Sequence, residues 1–352
     1  MMKLKNSWQS KAVREVERIA TPSAFRPHRL LRGGRIQTLA SSYAPRNLSG
    51  RLTGEQVVIL DAGRDYTGYD EKVRLMGYYN RHSGRDPSRG LVISLHGWEG
   101  SSHSPYNLLL GSYLLTKGYD LFRLNLRDHG PRLHVDPYVL NRGAFFGTLI
   151  EETMCAVQQV AAWAGDLPVY LVGPSLGGNF VLRLAVLHAV QPIANLRRVV
   201  AISPAINPAR SIERIDQQIY FRRYFRKRWL RTLLAKERHF PDLYQFGPLR
   251  QLSHIEPMSQ WLIKHYSNFA DTATYYASYA VLGDALAGLT VPTTILTAAD
   301  DPVIMVEDFE TLVAPPLLDL KIEQFGGHVG FVDWWPLHHH LPEMVEAALQ
   351  RE

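Results

Sequence analysis

The sequence predicts an α/β fold: a mostly parallel central sheet, flanked by helices, with an inserted helical cap. Three observations predict it. Short apolar runs alternate with helix-length segments, as in a doubly wound sheet. The strand-like runs begin near Gly90, Asp120, Val169, Arg198, Thr293 and Leu320, and most crossovers between them are long enough for a helix. One crossover, residues 207–287, is far too long for a structureless loop and reads as helices of its own.

Residues 1–50 are basic and irregular and read as an arm packed on the core. Residues 51–206 form the first part of the core. Within them, residues 55–61 and 72–80 alternate apolar and polar side chains, as an antiparallel pair does, with Gly63, Gly68 and Asp70 between them. Helix-like runs begin near Pro105, Leu149 and Gly178. Residues 207–287 are the cap. Residues 288–352 complete the core, with a helix expected between the last two strands and another from Pro342.

The most informative motif is Gly173-Pro174-Ser175-Leu176-Gly177-Gly178. It follows the apolar run Val169-Tyr170-Leu171-Val172 and precedes a helix-like run. A strand, a sharp turn and a helix at this spacing expose a serine nucleophile. The flanking glycines suit a turn in which a Cβ would strike the backbone. The Leu176 N–H is then aimed at a bound carbonyl oxygen.

A serine hydroxyl needs a base to remove its proton, and that base needs a group to orient it. Two downstream loops, each directly after a strand-like run, supply candidates in the order acid then histidine. The first holds Asp300 and Asp301, the second His328 between Gly327 and Val329-Gly330. His328 is the expected general base. Asp301 is favoured over Asp300 as its partner, because the residue before Pro302 lies further into the loop. A second oxyanion donor is expected from the turn His96-Gly97-Trp98, after the run at Leu91: the Trp98 N–H, paired with that of Leu176. His96 is expected to hold that loop rather than to act as a second base.

These residues resemble the YheT-like branch of the α/β-hydrolases, which also contains the animal ABHD lipases and esterases. The resemblance rests on the HG-x-EG-x-x-x-SPY segment from His96 to Tyr106, the G-x-SLGG elbow, Asp300-Asp301-Pro302, the GGHVGF run from Gly326 to Phe331, and Gly34-Arg35-Ile36-Gln37-Thr38-Leu39. It implies an α/β-hydrolase fold, a hydrolase of short-to-medium acyl or lipid carboxylic esters, and Asp301 as the triad acid. It implies no cofactor. The chain departs from the branch at Arg127-Asp128-His129-Gly130, a loop expected to border the site. Thioester hydrolysis, acyl transfer and a non-catalytic binding role are the alternatives on this scaffold.

Bulk properties fit. With 352 residues and 46% hydrophobic content, the chain can bury one large core. It has no run of membrane-spanning length and no secretory apolar region near Met1. Its one cysteine, Cys155, reads as a small buried side chain on a helix, and a reducing cytoplasm is the expected location. The net charge of +6 is concentrated in residues 220–238, where Phe221, Phe225, Trp229 and Leu233 form one helical stripe among many cations. Two expectations attach to it: a cap helix whose stripe covers the site, and weak peripheral contact with a membrane. No nucleic-acid motif is present. His338-His339-His340 is not expected to hold a metal, because three adjacent side chains diverge on a regular element.

Overall fold

The computed structural model describes residues 25–42, 52, 54–334 and 337–351. Of the expected arm, residues 1–24 and 43–50 therefore lie outside the described residues.

The chain runs through helix α1 (Gly34–Ser41), strands β1 (Gln56–Arg64), β2 (Lys72–Asn80) and β3 (Leu91–Ser94), helix α2 (Pro105–Thr116), strand β4 (Asp120–Leu124), helix α3 (Ile150–Trp163), strand β5 (Val169–Pro174), helix α4 (Leu176–Leu187) and strand β6 (Leu196–Ile202). Four helices follow: α5 (Pro208–Gln217), α6 (Ile219–His239), α7 (Ile255–Tyr266) and α8 (Thr272–Ala277). The chain ends with β7 (Thr293–Ala298), α9 (Val306–Phe309), β8 (Leu318–Glu323), the two-residue strands β9 (Val332–Asp333) and β10 (His338–His339), and α10 (Leu341–Leu349).

The main sheet has eight strands in the order β1-β2-β4-β3-β5-β6-β7-β8. The β1–β2 and β2–β4 pairs are antiparallel, and every pair from β4–β3 to β7–β8 is parallel. Apolar runs form the parallel strands because both faces are covered. In β3, Leu91 and Ile93 pack with Met154 and Val157 of α3 and Phe180 of α4, while Val92 packs with Leu110 and Leu114 of α2 on the opposite face. Residues Val199 and Val200 of β6 divide the same way. Each such Val or Leu is worth about 1.5–3 kcal/mol buried.

Strand order reverses at β3: the chain passes outward to β4, then returns to β5 on the other side of β3. Ligands of open parallel sheets bind in the crevice beyond the strand ends at such a point. The ends of β3 and β5 carry His96-Gly97-Trp98 and Ser175.

The helices α5 to α8 lie between β6 and β7, over the strand ends. They have a cluster of their own, with Leu233, Tyr244, Phe246, Met258 and Leu262 packed against Ala144 of the core. Between the last two strands there is only the single turn α9. The Cys155 thiol is half-buried rather than enclosed: its Sγ faces Asp61 and Gly63 at the edge of the α3–β1 contact. The short apolar–polar alternation of α3 does not reveal that this face meets an outer strand.

Candidate active site

Ser175 sits between β5 and α4 with φ 54° and ψ −120°. A non-glycine residue held at such angles costs about 1–3 kcal/mol, and its surroundings must fix it there. They do: the Ser175 N–H donates to the Ile202 carbonyl at 2.8 Å, and its own carbonyl accepts from Asn179 at 3.0 Å and Ala205 at 3.1 Å. A Cβ on Gly177 would meet the His96 carbonyl oxygen at 2.6 Å, and one on Gly173 would collide with the Gly177 backbone. The elbow therefore tolerates only glycine on either side of the serine turn.

The three side chains that the sequence places in separate loops meet here. His328 Nε2 lies 3.0 Å from Ser175 Oγ, and His328 Nδ1 lies 2.9 Å from Asp301 Oδ2. Asp301 is anchored through its other oxygen, Oδ1, which accepts from the N–H groups of Val303 (2.8 Å) and Ile304 (2.9 Å). Asp300 faces elsewhere. Its Oδ1 accepts from the Gly327 N–H at 2.8 Å, so it holds the loop that carries His328. Burial pushes the Asp300 carboxyl up, with the Asp301 charge adding to the effect and the Gly327 N–H opposing it.

The His96-Gly97-Trp98 turn is clamped from two sides. The Gly97 N–H donates to Tyr106 Oη at 2.8 Å. His96 Nε2 accepts from the Leu126 N–H at 3.1 Å, so Nδ1 carries the proton and donates to the Gly97 carbonyl at 2.8 Å. Burial, aided by nearby His129, keeps the His96 imidazole well below its usual range and therefore neutral. Because the Gly97–Trp98 peptide is planar, fixing its carbonyl toward His96 turns the Trp98 N–H away from it. Neither that N–H nor the Leu176 N–H has an acceptor among the described residues. Both residues line one cavity with Ser175.

A family model described as alpha/beta hydrolase fold matches residues 90–333. The chain belongs to the α/β-hydrolase fold family. It is 24% identical over 254 residues to an Escherichia coli (strain K12) protein described as "Putative esterase YheT", an alignment covering 70% of this chain and 72% of that one. A serine hydrolase, CCSP0084, from Cycloclasticus zankles shares 14% identity over 84% of this chain and 96% of its own, with a TM-score of 0.50. The Pyrococcus furiosus esterase Pf2001 shares 15% over 88% of this chain and 96% of its own, with a TM-score of 0.49. The YheT relative agrees with the branch that the motifs resemble.

Two cavities of this α/β-hydrolase meet at Ser175. One, of about 120 Å³, is mainly apolar and lies under the cap helices, walled by Phe145, Phe225, Trp229, Leu233, Tyr275 and Tyr279. The other, of about 440 Å³, is mixed, and its lining includes Thr38, Ser101, Ser104, Tyr224, Arg228 and His328. Trp98 and Phe225 border both and stack on each other at 5.2 Å and 7°.

The stripe Phe221, Phe225, Trp229 and Leu233 therefore faces the core and the apolar cavity, not the outside. On the outer side of the same helix, Ile219, Tyr220 and Tyr224 remain exposed. Several cations of α6 are also turned inward: Arg226 bonds the Leu252 carbonyl, Arg228 that of Glu99, and Lys236 the carboxylate of Asp128. Arg223, Lys227, Arg231 and Arg238 stay exposed. No helix among the described residues is long and apolar enough to cross a membrane.

The Arg127–Gly130 loop does not border either cavity. It is a joint one layer behind. Arg127 pairs with Asp65 at 2.9 Å and Glu152 at 2.5 Å. Asp128 accepts from the Phe145 N–H at 2.9 Å, which sets that cavity wall. Of the three adjacent histidines at 338–340, two converge with a carboxylate. His338 on β10 and His340 at the start of α10 both reach Glu343, with ligand atoms within 4.8 Å of one another, and His339 is not part of that group.

The sequence reading missed the use of Gln37 and Thr38. The Thr38 hydroxyl accepts from the His328 N–H at 2.8 Å and donates to the Gly34 carbonyl at 2.7 Å. Buried Gln37 donates to the Leu31 and Val332 carbonyls and accepts from the Val332 N–H. Helix α1 thus pins both ends of the loop carrying His328. The Gln-Thr pair in the N-terminal segment was visible as a motif, but its partners were not.

His129 makes a pH prediction. Its Nδ1 donates to the Arg127 carbonyl at 2.7 Å, and burial pushes its imidazole down, opposed by Glu99. A histidine depressed in the folded state contributes stability that is complete above its unfolded value of about 6.5 and is lost as pH falls, by at most ~1.4 kcal/mol per pH unit. His129→Asn removes that titration. Urea unfolding at about pH 8 and pH 5 should show the wild type's advantage over the variant shrinking toward acid. An advantage that stays constant would refute the assignment.

Proposed function

We propose that this chain is a serine carboxylic ester hydrolase that takes short-to-medium acyl or lipid esters through an acyl-enzyme. The observation that carries this reading is the run of contacts from Asp301 through His328 to Ser175, ending where the two cavities meet.

Ser175 Oγ attacks the acyl carbonyl while His328 Nε2 takes its proton. Asp301 keeps the Nδ1 proton in place and offsets the imidazolium charge. The Trp98 and Leu176 N–H groups receive the oxyanion, helped by the positive end of α4, which begins at Leu176. His328 lines the mixed cavity and not the apolar one. The alkoxide that takes its proton therefore leaves on the mixed side, and the acyl chain occupies the apolar side. Water activated by His328 then releases the acid. The scheme calls for no cofactor.

The test is p-nitrophenyl ester hydrolysis across acyl lengths, with fluorophosphonate labelling, on wild type and Ser175→Ala. The expected result is turnover with an optimum at short-to-medium chains and label on Ser175, both absent from the variant. Equal background from the two proteins, with no label, would overturn the reading.

A further inference from the structure

We propose that the mixed cavity is an anion subsite, and that the preferred substrates carry a carboxylate or phosphate on their alcohol part. The inference rests on the ester-hydrolase reading above, which places the leaving alcohol on the side lined by His328.

Arg228 is the one permanent cation among the described lining residues of that cavity. It reaches the cavity from the third turn of α6. Its Nε and Nη2 donate to the Glu99 carbonyl at 3.1 and 2.5 Å. Among the described residues, Nη1 has no acceptor, and no carboxylate lies within ion-pair distance of the guanidinium. The Glu99 carboxylate does not neutralise it directly, because that group turns inward to the Thr232 hydroxyl at 2.7 Å. The backbone bonds thus fix the plane of the guanidinium at the cavity lining and leave one of its edges without a partner among the described residues. The Tyr224 ring supports the other face at 5.4 Å.

Two further features fit an anionic group. Tyr224 and Ser101 lie in the same lining, and their O–H groups can donate to an oxyanion while the Ser101 oxygen accepts the His103 N–H. The apolar cavity across Ser175 has no charged residue among the described residues of its lining, so the two halves of a substrate are sorted by polarity. A guanidinium held in a plane recognises carboxylate and phosphate oxygens in a way that a mobile surface cation does not.

The test compares matched esters: 4-butyryloxybenzoate against its neutral benzamide counterpart, and butyrylglycerol phosphate against monobutyrylglycerol. The readout is the anionic-to-neutral ratio of kcat/KM in wild type, Arg228→Gln and Arg228→Lys. We expect wild type to prefer the anionic member of a pair by about 10- to 100-fold, through KM, and increasingly so at low salt. The ratio should fall close to one in Arg228→Gln and recover substantially in Arg228→Lys. A preference in only one of the two pairs identifies the anion accepted. A wild-type ratio near one in both pairs, or an Arg228→Gln variant that slows both members alike, would overturn the proposal. In the latter case Arg228 merely holds the Glu99 carbonyl. Absence of turnover on all four esters would instead count against the ester-hydrolase reading, on which this subsite depends.

Discussion

Asp301→Asn should lower kcat by about 10³- to 10⁴-fold with the fold retained. The size of the loss follows from how Asp301 is anchored. Its Oδ1 accepts two backbone N–H groups, from Val303 and Ile304. An asparagine must keep its carbonyl oxygen on those donors, because turning it over would aim an NH₂ group at them. The amide nitrogen then replaces Oδ2, the atom 2.9 Å from His328 Nδ1. A donor there forces the imidazole proton onto Nε2, the nitrogen 3.0 Å from Ser175 Oγ, which can then no longer accept the serine proton. Hydroxide has to replace the lost base, so the residual rate should rise about tenfold per pH unit through the neutral range. Asp300→Asn is the matched control. Its Oδ1 only accepts the Gly327 N–H, which an amide oxygen also does, so the loss should stay within about tenfold. Steady-state kinetics on p-nitrophenyl butyrate separate the two. Equal losses at both positions, or a minor loss at Asp301, would dismiss Asp301 as the partner of His328.

The residues of this site differ in how visible they are in the sequence, and the difference has a physical origin. Ser175 is visible because its turn leaves no room for a Cβ at Gly173 or Gly177, so the constraint is written into neighbouring letters. The loop of Asp301 is visible because it follows a strand with apolar residues on both faces, and that of His328 because it follows a strand whose Leu318, Leu320 and Ile322 alternate with polar residues. Thr38 is not visible, since its bond to His328 joins positions 290 residues apart and leaves no local pattern. The cap helix shows the same limit. Its charge run reads as a solvated face, yet Arg226, Arg228 and Lys236 are committed inward to carbonyls and a carboxylate brought there by other elements. The turn α9 was expected as a full helix because the crossover has the length for one; most of that length is spent on the Asp301 loop and on the approach to β8. Local periodicity reports which face is covered, but not what covers it.

Lys236→Met should destabilise the protein by about 3–5 kcal/mol, the usual result of stranding one member of a buried ion pair. Lys236 and Asp128 have almost no exposed side-chain surface, and they meet at 2.7 Å. The ammonium also donates to the Asn141 carbonyl at 2.5 Å. These contacts tie α6 to the loop after β4, and through the Phe145 N–H that Asp128 accepts, they tie the cap to a wall of the apolar cavity. Burial already pushes the Asp128 carboxyl up, and Lys236 is the main opposing influence. Without the lysine that carboxyl shifts further up, so the penalty is complete above its folded value and shrinks as pH falls toward the ordinary aspartate range near 3.9. Urea unfolding of Lys236→Met at about pH 8 and pH 5.5 should therefore show the larger deficit at the higher pH. Adding Asp128→Asn to the variant removes the stranded charge while leaving an acceptor for Phe145, and should restore most of the lost stability. A single variant within about 1 kcal/mol of wild type, or a double variant no better than the single, would mean that the pair contributes no more than an exposed one. If the pair does act as a lock, the cap is held to the core at the rear of the site by a buried ion pair, whereas at the rim, among the described residues, α1 meets the start of α6 through the Arg35–Gln218 hydrogen bond. Substrate access is then a matter of the mixed cavity's mouth, not of the whole cap swinging away.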